Sequence, residues 1–81
     1  MKEITFEGRG YEINRGRDVA RGGVYLELRI AGDRRVGAVA EIFLYEKSGD
    51  VVFNSFQKEI AVELAEILIS EAKKSLGVAE K

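Results

Sequence analysis

The chain has no cysteine and no histidine among its 81 residues. Disulfide staples and thiolate or imidazole metal sites are therefore excluded, and so is the commonest general base. It has only one methionine, two asparagines and one glutamine, while a third of the residues are charged, a profile that suits a thermophile. No apolar run reaches the roughly 18 residues of a membrane span, and no secretory-signal pattern opens the chain. The expectation is a soluble, cytoplasmic protein.

Eighty-one residues predict a single domain, 1–81, near the lower end of chains that fold alone. Such a chain buries roughly 60–65% of its unfolded surface. Without staples, further stability has to come from a well-idealised core or from dimerisation.

The net charge of −1 conceals an asymmetry. Residues 1–40 hold eight basic and six acidic groups, and residues 41–81 hold five and eight. All seven arginines lie between Arg9 and Arg35, and every later basic residue is lysine. A planar guanidinium suits phosphate and carboxylate better than an ammonium does.

The first two thirds of the chain alternate with the period of strands. In "EITFEG", Ile4 and Phe6 share one face; in "GYEINR", Tyr11 and Ile13 do. The two runs meet at Arg9-Gly10, where a tight hairpin is expected. "VYLELRI" places Val24, Leu26, Leu28 and Ile30 on one side and Tyr25, Glu27 and Arg29 on the other. After the turn "AGDRR" a long strand is expected over "VGAVAEIFLYEK". Its one face is Val36, Ala38, Ala40, Ile42 and Leu44; its other is Val39, Glu41, Phe43 and Tyr45. Alanines at 38 and 40 would let a helix lie close. "KSGD" is a turn, and "VVFNSF" a short returning strand.

From about Ser55 to Leu76 the period becomes helical, with Ile60, Leu64, Ile67, Leu68 and Ala72 forming an apolar stripe. Asn54 and Gln57 have the spacing of a capping box, Lys73 and Lys74 suit the negative end of the helix dipole, and Gly77 is a natural stop. A short tail, 77–81, follows. The fold class is therefore α+β: an antiparallel sheet of four to five strands, with strands within residues 2–55, and one long C-terminal helix packed on one face.

One helix covers one face of a sheet, so the other face needs a use. It should carry Tyr25, Glu27, Arg29, Val39, Glu41, Phe43 and Tyr45. Bases of a single strand could stack on its aromatics, each contributing about 1–3 kcal/mol, with arginines holding phosphates. Burial against a second subunit and simple solvation are the alternatives. On the helix, Val62, Ile69 and Leu76 recur every seven residues. They either widen the core contact or form a dimer seam.

The stretch "GRGYEINRGRDVARGG" holds four arginines and five glycines in sixteen residues. Tyr11 to Arg15 is expected as strand and Gly16 to Gly23 as the connecting loop. Arg9, Arg15, Arg17 and Arg21, with Arg34 and Arg35 from the next loop, are candidates for a cationic rim around the aromatic face. A soluble hairpin loop explains the same residues without a ligand.

The run from "GYEINR" through "VYLELRI" and the strand to Tyr45, followed by a helix to Leu76, resembles the PUR-repeat proteins in element order. It is more loosely similar to the Whirly-type single-stranded DNA binders. That resemblance implies a homodimer whose sheet contacts nucleic acid through basic and aromatic residues, here Tyr25, Arg29, Phe43 and Tyr45. The strand "EITFEG" is additional to the pattern, and Glu27 and Glu41 share the face.

No catalytic constellation stands out. Glu59, Glu63 and Glu66 have the spacing of a solvated helix face, and "GRGYEI" lacks the last glycine of a dinucleotide fingerprint. Neither an enzyme nor a cofactor is expected. The expected function is a small dimeric domain binding single-stranded DNA or RNA. The alternative is a protein-interaction or assembly module, its open sheet face buried in a homo-oligomer.

Overall fold

A computed structural model describes residues 1–35 and 37–77. Five strands are followed by one helix: β1 (Lys2–Phe6), β2 (Arg9–Asp18), β3 (Gly23–Ile30), β4 (Ala40–Tyr45), β5 (Val51–Ser55) and α1 (Val62–Ser75). The strands pair antiparallel in chain order, so β1 and β5 are the two edges. This is the expected α+β fold.

The β1–β2 turn is Glu7-Gly8, with φ of 50° and 77°, and not Arg9-Gly10. A two-residue hairpin turn of this hand needs two left-handed residues in succession, and Gly8 takes the second without strain. Arg9 and Gly10 instead pair with Phe6 and Thr5.

Half of the expected loop over 16–23 is strand. β2 runs on to Asp18, and only four residues turn the chain. Gly22 N–H donates to Asp18 O (2.9 Å), and Arg21 N–H to the Asp18 carboxylate (3.1 Å). Gly16 is there for space. A Cβ at that position would run into the Tyr25 ring, which lies across it from β3.

β4 is half the expected length. Leu28 already faces Ala40, yet it also accepts a hydrogen bond from Val39 N–H (2.7 Å). Two consecutive residues opposite one is the pairing of a β-bulge. The bulge breaks the alternation, so Val39 is not on the open face. It is buried in the core beneath the helix. Ala40 is buried in the same core and Ala38 is half-buried; Val36 lies outside the described residues.

α1 starts seven residues later than the sequence suggests and is about 21 Å long. Asn54 does not cap it. Asn54 is on β5, with its side chain committed to Glu41, and α1 begins at Ala61 without a side-chain cap. Leu64, Leu68, Ala72 and Leu76, four residues apart, pack on Tyr11, Ile13, Leu26, Leu28 and Ile42. Lys73 and Lys74 lie in its last turn, and Gly77 ends it at φ 68°. Of the tail 77–81, residues 78–81 lie outside the described residues.

The register fixes the two ends of the sheet. The β1–β2 turn, the β3–β4 connection and the end of β5 share one end. The β2–β3 and β4–β5 turns share the other.

Candidate functional site

On the open face, Gly16, Tyr25, Phe43 and Val52 form one row across four strands. Asn14, Glu27, Glu41 and Asn54 form the next. Phe43 was expected to offer its ring to a ligand, but it is 0% exposed. Its own chain covers it. Arg21 reaches back from the turn and sets its guanidinium carbon 3.8 Å from the Phe43 ring centroid, and Tyr45 tilts against the same ring at 4.7 Å.

Arg21 also serves a carboxylate. Glu41 is only 7% exposed, and one of its oxygens accepts from Arg21 Nη1 (2.7 Å) and Asn54 Nδ2 (3.0 Å). A buried carboxylate is tolerable only when paired and hydrogen-bonded. The bond to Glu41 first, and that to Tyr45 second, hold the Arg21 guanidinium above its ordinary value. Glu27 and Glu41 stand directly opposite each other on β3 and β4. Their repulsion is relieved because each has its own arginine, Arg29 lying 3.5 Å from Glu27.

The remaining arginines do not rim this face. Strand parity puts Arg9, Arg15 and Arg17 on the helix-packed side of β2, opposite Phe6, Leu26 and Val24. Arg17 grips both carboxylate oxygens of Glu46 in the β4–β5 turn. Arg9, Arg34 and Arg35 are exposed at the far end of the sheet from Arg21. Among the described residues, Arg9, Arg15, Arg34 and Arg35 make no ion pair. The structure thus brings together Arg21, Tyr25, Phe43 and Tyr45, with Arg29 two rows away beyond Glu27, and separates the other five.

The proposed heptad seam also divides. Val62 is 67% exposed and Ile69 is exposed, but Leu76 is 9% exposed and belongs to the core. The helix turns Leu76 inward because it continues the four-residue stripe of Leu64, Leu68 and Ala72.

Val62 and Ile69 instead line a groove between α1 and edge strand β5. Phe53, Ile60 and Ala65 add to its apolar lining, and Lys58, Glu59 and Glu66 line it too. It continues past Ile69 toward Val51 and Lys73. Phe53 is 41% exposed, and Val51 and Phe56 are exposed too. Tyr45 N–H donates to Asp50 O and Phe56 N–H to Val39 O, both at 2.9 Å. Hydrogen-bonded pairs alternate along an antiparallel ladder, so Asp50, Val52, Asn54 and Phe56 turn their backbone groups toward β4. Val51, Phe53 and Ser55 turn theirs outward.

The sequence reading missed Val51 and Phe53. "VVFNS" carries no charge, and in a meander the last strand is an edge, so the signal was present.

Comparisons with protein-family models, curated proteins and solved structures find no match for this chain. Among the described residues no helix is long and apolar enough to cross a membrane.

Proposed function

We propose that this chain is a protein-interaction module that works by self-assembly. The observation that carries the reading is the contrast between its two edges. β1 holds Lys2 and Glu3, and Lys2 is tied to Glu71 on α1 at 3.0 Å. Charges of this kind blunt an edge against pairing. β5 has none, and its apolar side chains join those of α1 in one exposed strip. Apolar surface that is contiguous and rimmed by polar residues is the usual mark of a protein interface. The test is a double variant, Phe53→Asp with Ile69→Asp, both at exposed positions. Loss of assembly with an unchanged circular dichroism spectrum supports the proposal. Assembly that survives both carboxylates overturns it.

Nucleic-acid binding is a second reading, favoured by Arg9, Arg34 and Arg35, which share one end of the sheet without ion pairs among the described residues. Phosphate contacts there would make affinity fall steeply with salt. Alanine at all three positions should then abolish binding.

A further inference from the structure

Resting on the assembly reading, we infer that the occupant of the β5 edge is the β5 strand of a second copy. The two strands run antiparallel about a two-fold axis through Phe53, and the two sheets become one of ten strands. Three features of the chain select this arrangement.

The first is the outward backbone. Val51, Phe53 and Ser55 present their N–H and C=O groups to the free edge, by the alternation fixed at Tyr45–Asp50 and Val39–Phe56. These are the groups that an added strand needs, and Phe53 is central among them. An isologous two-fold contact pairs an edge with itself and can only be antiparallel. With Phe53 facing Phe53 of the second copy, Val51 faces Ser55, and every outward group meets an outward group.

The second is the side-chain face. Val51, Phe53 and Ser55 all point to the side of the sheet that α1 covers. Pairing therefore brings the two Phe53 rings together beside the groove, and brings each copy's Val62 and Ile69 toward the same two-fold. Backbone pairing and apolar burial happen at one surface.

The third is charge. Asp50 precedes β5 and Lys58 follows it. Antiparallel pairing sets the Asp50 end of one strand beside the Lys58 end of the other, so unlike charges meet at both rims. A β1-to-β5 contact is head-to-tail instead and would grow into open filaments. It would also set the uncharged β5 against Lys2 and Glu3.

Two measurements test the inference. The first uses the unaltered chain. Amide exchange followed by NMR reads each backbone N–H separately, and an amide pointing into solvent exchanges freely. Protection at Val51, Phe53 and Ser55 comparable to that at Val52 and Asn54 is expected.

The second reads the register, exploiting the absence of native cysteine. Cα atoms of a directly paired position lie about 5.5 Å apart, within disulfide range. Phe53→Cys should therefore give a cross-linked dimer on mild oxidation. Ser55→Cys leaves its two copies four residues apart, roughly 13 Å, and should stay reduced. A dimer whose Val51, Phe53 and Ser55 amides exchange freely overturns the strand pairing and leaves the assembly reading standing. So does a dimer that cross-links at Ser55 and not at Phe53. A chain that is monomeric throughout overturns both.

Discussion

Arg21 sits over Phe43, its guanidinium carbon 3.8 Å from the ring centroid, while the same guanidinium bonds Glu41 at 2.7 Å. One side chain therefore caps the aromatic of the open face and neutralises its buried carboxylate. Arg21 and Phe43, both expected to meet a ligand, are partnered within the chain.

Arg21→Ala should lower the urea midpoint without changing the slope of the transition, because Glu41 loses its charge partner. Arg21→Lys should fall between, since an ammonium restores charge but not the planar guanidinium fork. In a double-mutant cycle with Glu41→Gln the two changes should be strongly non-additive. Additive effects would mean that the pair is incidental.

Gly16→Ala should destabilise by about 1–3 kcal/mol, as its Cβ meets the Tyr25 ring. Tyr25→Ala should recover much of that loss in the double variant. Gly23→Ala should have no such rescue, because its Cβ meets the Leu44 carbonyl oxygen of the neighbouring backbone. Thermal or urea unfolding of the single and double variants checks both statements.

Leu68→Ala should cost about 2–5 kcal/mol, the range for a fully buried leucine. Val62→Ala removes an exposed side chain and should leave the folding core intact. Its effect should be on how the midpoint depends on protein concentration, the signature of an assembly contact. A loss of core stability at Val62 as large as at Leu68 would contradict this division of α1.

Labelled single-stranded DNA and RNA should show no rise in fluorescence anisotropy with the protein at about 200 mM salt. Binding at about 50 mM that falls by roughly 10³-fold at 200 mM, and is lost with Arg9, Arg34 and Arg35 changed to alanine, would favour the second reading.

The alternation of apolar residues in β1, β2 and β3 and the four-residue stripe of α1 carried most of the fold into view. Burial on one face writes itself into every second or fourth residue. What escaped depends on contacts between segments. Gly16 looks like a loop glycine until the Tyr25 ring is placed over it. Val39 looks outward until Leu28 is seen to pair with two residues. Asn54 fits a helix cap by spacing, yet Glu41 on the neighbouring strand has the stronger claim on its amide. At the candidate site the clustering of aromatics on one face was legible. Their coverage by Arg21 was not, because it depends on a turn folding back over the sheet. The β5 edge was legible in principle from an uncharged last strand, but its weight comes from lying beside Val62 and Ile69.

The measurement that bears most directly on self-assembly is sedimentation equilibrium of the unaltered chain at low and at high salt. An apolar interface with paired backbone weakens little on screening, because exposed rim ion pairs contribute little to it. The predicted result is a mass twice the 9.0 kDa of one chain at both salt concentrations. A mass of one chain throughout, or a dimer that dissolves as salt rises, would contradict it.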